Sequence, residues 1–427
     1  MVARSLEQLS DIVSRNATAF SRELECRSTS SPTVQNIHSP SLSKIDSVAA
    51  TELANAAREL QALAQSPSQQ LNLLAFAYYD SASVGILLEF NIPELVPLEG
   101  AISLSELAAK AGLLEDKLAR IVRYAATNFI FCEPEPGYIA HTALSAALAR
   151  DPQFATYLRL CLVDMAPIAA ALPRALRRWP RSESITECAV NAAFDTDEPL
   201  FEWLSRDATR QTRFDQGMAG FSGVDGKAAG RSGNIDIAAY PWGTALGPEA
   251  VVVDVGGGSG HVSKALAAAF PSFRITVQDR AEVVDAARVQ AGPSSSTTIS
   301  YQVHSFWEPQ PLVGADVYFL RQVLHNWPRK EAVDILRALV PALKPGARVL
   351  VSEYVVPELV EGDDGLLEAK MVREMDLQMM AALNAKERTK DEFIELFAAA
   401  DSRLRFNAAY QVPEDRKVCI LEAIWDP

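Results

Sequence analysis

The sequence predicts an α/β fold, a doubly wound and mostly parallel sheet preceded by a helical region that closes in a winged helix. Three observations carry this. Beyond Pro241, apolar runs of strand length alternate with stretches of helical periodicity. One of these runs, Val251–Val255, leads straight into a turn with glycines at 256, 257, 258 and 260. Upstream, two helical patterns separated by a glycine are followed by two β-prone patches around Glu133-Pro-Glu-Pro-Gly137.

In chain order, Leu6, Leu9, Ile12, Val13 and Phe20 recur at helical spacing, as do Leu53, Ala57, Leu60 and Ala64. Between them, Arg27 to Lys44 is rich in Ser, Thr and Pro and reads as an irregular linker. Helices beyond such a linker need a surface to pack on, either the body of the protein or a second copy of the chain. Leu71 to Phe90 reads as one apolar helix ended by Asn91-Ile92-Pro93. Ser103-Leu-Ser-Glu106 is a capping box opening the next helix, Gly112 closes it, and Leu114, Leu118, Ile121, Val122 and Ala125 make another. Phe129 to Cys132 and Tyr138 to Ala140 are the expected hairpin strands. Residues 151–235 read as helical with breaks at Pro167, Pro173 and Pro180. The strand runs that follow are Ala250–Val255, Arg274–Gln278, Ile299–Val303, Val317–Phe319 and Arg348–Ser352, with helices over Val262–Phe270 and Lys330–Leu343. The expected division is an arm over 1–65, a helical winged-helix domain over 66–240 and a catalytic domain over 241–427.

Composition narrows the function. Acidic residues number 54 against 40 basic ones, a net charge of −14, which disfavours binding to phosphate backbones or anionic lipid. The second helix of the winged-helix pattern carries Lys117, Arg120 and Arg123 beside Glu115 and Asp116, and the hairpin tip carries Glu133 and Glu135. Acidic groups at the wing repel DNA, so a structural or dimerising role is the better reading. No uncharged apolar run approaches the ~18–20 residues of a bilayer span, and Met1 to Glu25 lacks the form of a signal peptide. The five cysteines are scattered, with no Cys/His cluster to hold zinc. A soluble, cytosolic protein without metal is the expectation.

The chemistry is concentrated in the sheet region. The G-x-G-x-x-G fingerprint of dinucleotide binding fails, because its last position falls on His261 or Ser263. Asp254-Val-Gly256-Gly257-Gly258-Ser-Gly260 instead resembles motif I of S-adenosylmethionine-dependent methyltransferases. Asp279 ends the next strand, where it can accept from both hydroxyls of a ribose; an N-cap for the helix near Ala281 is its plainer role. His325 follows the fourth strand run, at the sheet edge where open α/β sheets keep ligands. Glu353 ends a further strand, and Glu387 opens the next helix with Thr389 available as its cap.

Taken together, Val-Asp-Val-Gly-Gly-Gly-Ser-Gly, Phe-Leu-Arg-Gln-Val-Leu-His-Asn-Trp and Lys-Glu-Arg-Thr resemble the plant caffeate-type and fungal secondary-metabolite O-methyltransferases. Residues 241–427 look like their catalytic domain and 70–165 like their winged-helix dimerisation domain. The resemblance implies a seven-stranded sheet whose final strand, near Val418 to Trp425, is antiparallel. It implies S-adenosylmethionine as cofactor, a small phenolic or enolic acceptor such as a polyketide, and a homodimer. It further implies that Gly256 and Gly257 meet the cofactor's methionine part and Asp279 its ribose, with Asp254 and Gly258 also among the cofactor-binding residues. His304, Ser305 and Phe306 would surround the adenine, with Arg321 just before the catalytic loop. Ser305 stands where the family usually has Asp, which weakens or rearranges that contact. His325 would be the general base, flanked and oriented by Glu353 and Glu387. Phe214, Met218, Phe221, Met375, Asp376 and Met379 would line the acceptor pocket, although core packing explains each of them alone equally well. A rearrangement enzyme on the same scaffold, pericyclases included, is the competing reading, and retention of His325, Glu353 and Glu387 argues against it.

Overall fold

A computed structural model of the chain describes residues 4–27, 32–37, 47–227, 235–291, 298–357, 366–412 and 415–427. They form two compact units. One comprises 4–167 and 204–227, the other 168–203 and the described residues from 235 onward.

In the first unit, Ser5 and Gln8 form a capping box that starts the helix Leu6–Cys26, which packs along the helix Val48–Ala64. The Arg4 guanidinium joins the two through Glu59, with Nε 3.1 Å from Oε2. Of the expected linker, residues 28–31 and 38–46 lie outside the described residues. Within its described part, Val34 accepts the amide of Ala143. The apolar helix expected over Leu71–Phe90 is divided at Ala77 into Pro67–Phe76 and Tyr78–Glu89. Much of it faces outward, with Leu71, Leu73, Leu74, Phe76, Tyr78 and Tyr79 all at least half exposed.

Pro67–Glu89 and Pro152–Arg178 are each long and apolar enough to cross a bilayer. A search for an uncharged run passes over the first because Asp80 interrupts it. That carboxylate accepts from the Tyr124 hydroxyl at 2.9 Å and the Asn128 amide at 2.7 Å, which ties the helix to the winged helix.

The winged helix consists of β1 (Ile102–Ser103), the helices Leu104–Ala111 and Glu115–Ala126, β2 (Cys132–Glu135) and β3 (Tyr138–Ala140), with sheet order β1-β3-β2. Leu107, Leu118, Val122, Phe131 and Ile139 form its core. Only half of the expected capping box is made. Ser103 accepts from the Glu106 amide, while the Glu106 carboxylate turns outward to Lys110. The first hairpin strand begins later than expected, because Phe129 and Phe131 adopt positive φ and make a turn. At the wing, Glu133 accepts from both Arg123 nitrogens, at 2.8 and 2.7 Å, and from the Gly137 amide. Arg123 of the second helix is thereby paired with the hairpin.

Pro167 and Pro173 do not break their helix. Its first part, Pro152–Arg159, passes through a widened π turn, Leu160–Met165, into Ala166–Arg178. At the end of the π turn the Ala166 amide reaches back five residues to the Cys161 carbonyl.

The second unit is built on one sheet of seven strands: β4 (Val251–Val255), β5 (Arg274–Asp279), β6 (Ile299–Val303), β7 (Val317–Arg321), β8 (Arg348–Tyr354), β9 (Leu404–Val412) and β10 (Asp415–Trp425). Their order is β6-β5-β4-β7-β8-β10-β9, with β4 to β8 mutually parallel and β10 antiparallel to both its neighbours. Successive residues point to opposite faces. Val253, Tyr318, Val349 and Leu421 therefore pack under the helices Arg329–Leu339 and Lys390–Ala400. Val252, Phe319, Leu350 and Ile420 pack under Trp242, Tyr240 and the helix His261–Ala269. The order reverses between β4 and β7, the switch point at which such sheets bind ligands beyond their carboxyl ends.

The segment 168–203, expected with the middle domain, belongs instead to the sheet unit. Cys188 Sγ contacts the Ala382 carbonyl, and the Asn384 side chain donates to the carbonyls of Ser182 and Ser184. Such contacts span about two hundred residues of sequence and leave no local trace.

Candidate active site

β4 ends in Val255, and the chain turns back through Gly256, Gly258 and Gly260, all with φ between 58° and 73°. That backbone is open to glycine and strained for other residues. Gly257 is required for a different reason. A Cβ there would lie 2.5 Å from the Asp254 carboxyl carbon. The amides of Gly256 and Gly257 both point to the Gln278 carbonyl on β5, at 2.8 and 3.2 Å. Asp254 is buried and accepts from the Ser263 hydroxyl at 2.6 Å. Its carboxylate thus braces the turn from beneath. Asp254, expected at the cofactor, stands directly beneath the glycine turn.

Asp279, at the end of β5, accepts from the Gly258 amide at 2.9 Å and from Arg280 at 2.8 Å. It caps no helix, since the amides it takes precede the helix Ala281–Ala291. Next to it, the His304 amide donates to the Asp279 carbonyl. His304, Ser305 and Phe306 are each half-buried after β6, and Phe306 packs edge-on against Trp307 and Trp327. Burial pushes the His304 imidazole below its ordinary pKa, against the pull of Glu308. Arg321 closes β7 with Nη1 3.3 Å from the Gln322 side chain. These residues suit an adenosyl group with a charged tail. The glycine turn presents open space at Gly258, where an added Cβ would meet nothing within 4 Å, and a carboxylate stands at the neighbouring strand end.

After β7 the chain enters a single 3-10 turn, Leu324–Asn326, preceded by Gln322 at φ 52°. His325 lies on this turn and is 8% exposed. Its Nδ1 is 2.8 Å from Glu387 Oε1 and 3.9 Å from Glu353 Oε2. With Nδ1–H donating to Glu387, Nε2 is left as the basic nitrogen. Glu353 Oε1 accepts from three consecutive amides, those of Val323, Leu324 and His325, at 3.0, 2.8 and 3.3 Å. The second oxygens of Glu353 and Glu387 are buried and accept no hydrogen bond among the described residues. Burial alone would lower the pKa of His325, but the two carboxylates outweigh it and raise it to about 9. Burial likewise raises Glu353, although His325 opposes it. Ligand atoms of these three residues lie within 4.8 Å of one another. They come from separate strand ends and loops, so no clustering in the sequence announces them.

Glu387 does not open a helix. It lies in an extended stretch where Arg388 bridges Val355, and the helix Lys390–Ala400 starts only after Thr389, which caps it. Asp376 accepts the Glu387 amide at 3.0 Å, so it steadies that stretch. Met375 and Met379 share its helix, Leu366–Leu383, Met379 being buried and Met375 half-buried. Phe214 and Met218 lie on the helix Ala208–Lys227 of the first unit, half-buried and exposed respectively. Phe221 is on the same helix, and its side chain is outside those described.

The residue that the sequence reading missed is Arg388. Its guanidinium is 2% exposed and donates to the carbonyls of Leu324 and Trp327, at 2.7 and 2.6 Å. The available signal was its position beside Glu387.

Residues 176–402 match the family model of the O-methyltransferase domain. The chain is similar to a chlorophenol O-methyltransferase of Trichoderma longibrachiatum, 39% identical over 378 residues, covering 87% of this chain and 79% of that protein. Two solved structures, one described as a pericyclic reaction enzyme and one as LepI in complex with SAM, each match with a TM-score of 0.73 at 26% identity. Each match covers 90% of this chain and 96% of the other.

Proposed function

The chain belongs to the S-adenosylmethionine-dependent O-methyltransferases, and from that premise we propose that it methylates a phenolic or enolic hydroxyl of a small secondary metabolite, such as a polyketide, with His325 as general base. The observation that carries this reading is the 2.8 Å contact of His325 Nδ1 with Glu387, which leaves Nε2 to take the acceptor's proton. When bound, S-adenosylmethionine supplies an electrophilic methyl group on a sulfonium. Gly256, Gly257 and Gly258 would hold its methionine part, Asp279 its ribose, and His304, Ser305 and Phe306 its adenine, with Arg321 beside them.

A phenol has a pKa near ~10, so at neutral pH it must lose a proton as it attacks. His325, raised to about 9, holds the proton firmly once it has arrived, and because only the neutral ring can take it the rate should climb with pH towards that value. Glu387 holds the ring in one tautomer and stabilises the imidazolium once the proton arrives. Glu353 keeps the loop in register through three amides. Met375, Asp376 and Met379 are the proposed acceptor lining contributed by the sheet unit.

The outward apolar residues between Leu71 and Tyr79 support a homodimer formed through the first unit. The likeness to a pericyclic reaction enzyme favours a second reading, a rearrangement without methyl transfer. One experiment separates the two. The purified chain is incubated with labelled S-adenosylmethionine and a panel of chlorinated phenols and hydroxylated polyketides. The expected result is a labelled methyl ether and an equal amount of S-adenosylhomocysteine. Acceptor consumed without S-adenosylhomocysteine would overturn the proposal in favour of the rearrangement. His325→Ala should retain cofactor affinity and lose roughly 10²–10⁴ of the rate.

A further inference from the structure

We propose that Arg388 is a positioning residue for the methyl-transfer reaction, a guanidinium clamp that bridges the Leu324 and Trp327 carbonyls and so sets the aim of His325. This deepens the assignment of His325 as base and rests on it.

A three-residue 3-10 turn has little stability of its own. Here it contains the backbone bonds of Asn326 to Val323 and of Trp327 to Leu324, both at 3.2 Å. It is entered through Gln322 in left-handed conformation, which strains a residue with a Cβ. Something else must hold it, and two buried side chains do so from opposite poles. Glu353 takes the amides of residues 323–325, and Arg388 takes the carbonyls of 324 and 327. The Leu324 carbonyl belongs to the peptide that precedes His325 and the Trp327 carbonyl stands just beyond the turn, so loss of the fork frees both ends of the segment that carries its ring. Only a guanidinium offers two donors in one rigid plane for this span.

Arg388 is fixed in turn by its own backbone. Its carbonyl accepts from Val356 at 2.9 Å, and Val355 pairs with it next to the end of β8. Glu387 is its immediate neighbour. One short extended stretch therefore supplies both the partner of the imidazole ring and the clamp on its backbone.

The charge has a second effect. The groups acting on His325 are Glu353 from β8 and Glu387 and Arg388 from the extended stretch. Those acting on Arg388 are Glu353, Glu392, Glu387 and Arg329. Arg388 opposes the two carboxylates and keeps the base from rising still higher.

The test uses Arg388→Lys and Arg388→Gln in the full-length chain. The readouts are kcat, acceptor KM, S-adenosylmethionine affinity and the pH dependence of kcat. Lysine keeps the charge without the fork, so kcat should fall roughly 10-fold, with cofactor affinity and the pH break unmoved. Glutamine loses both, so kcat should fall roughly 10²-fold and the break should move to higher pH by about half a unit or more. If Arg388→Gln fails to bind cofactor, the outcome is decided by Arg388→Lys. Equal kcat in Arg388→Lys and the parent would overturn the clamp. So would a fall matched by lost cofactor affinity, which is the mark of a merely structural arginine. A fully active His325→Ala run alongside would mean instead that the base assignment has failed.

Discussion

Replacing Glu387 by glutamine removes one charge and one acceptor from the His325 ring, and the structure says what the pH profile must then do. In the parent, kcat/KM requires neutral His325 and should rise with pH until the imidazolium is lost at about 9. The difference from an ordinary 6.5 corresponds to about 3 kcal/mol of preference for the charged ring, at about 1.4 kcal/mol per unit. Burial opposes that preference, and Glu353 and Glu387 together supply it. Glutamine at 387 leaves Glu353 alone against burial, so the break should move to lower pH by about one unit or more. The plateau should also fall, by roughly 10²–10⁴, because tautomer and imidazolium both lose their support. The two profiles therefore converge towards pH 6 and part towards pH 10.

Stability follows the same sign. A raised pKa adds stability that is complete below the unfolded value of about 6.5 and vanishes as pH climbs through about 9. The melting temperature of the variant should trail the parent more at pH 6 than at pH 10. Initial rates of S-adenosylhomocysteine release between pH 6 and 10, with thermal melts at both ends, measure this. A parent profile that levels near 6.5, or superimposable profiles for the two proteins, would refute the reasoning.

Three other outcomes are expected. Asp279→Ala removes the acceptor of the Gly258 amide and the proposed ribose partner, and should weaken S-adenosylmethionine binding by about 1–3 kcal/mol in calorimetric titration. Unchanged affinity would take Asp279 out of the site. Gly257→Ala drives a methyl into the buried Asp254 carboxylate and should cost about 1–3 kcal/mol, read as a lower melting temperature and weaker cofactor binding; parent-like values for both would show that Asp254 can move aside. Deleting residues 1–65 should loosen the proposed dimer, and a truncated chain that scatters light as a dimer with full activity would make the arm dispensable.

Much of the second unit was legible because its signals are local. A strand, a glycine turn and a helix follow one another within Val251–Ala269, and the period-2 and helical patterns do not overlap. β9 carries the same kind of signal, with Leu404, Phe406, Ala408 and Tyr410 alternating. What escaped depends on distance. The pKa of His325 is set by carboxylates 28 and 62 residues away. The packing of the Asp254 carboxylate beneath Gly257 is likewise invisible in the motif. Arg388 was hidden by the expectation that arginines face water, a rule that fails where a guanidinium finds two carbonyls.

The position of β10 has a consequence for how the molecule comes into being. β9 leaves the ribosome first, yet it has no partner until β10 threads between it and β8. The last register to form is thus an interior one, closed by residues 415–425. A chain halted at residue 414 would expose the flank of β8, including Val349, Val351 and the stretch that carries Glu353, as an unpaired apolar edge. Such an edge recruits strands from other chains. Premature termination near the 3′ end of the message should therefore yield insoluble protein rather than a trimmed, partly active enzyme.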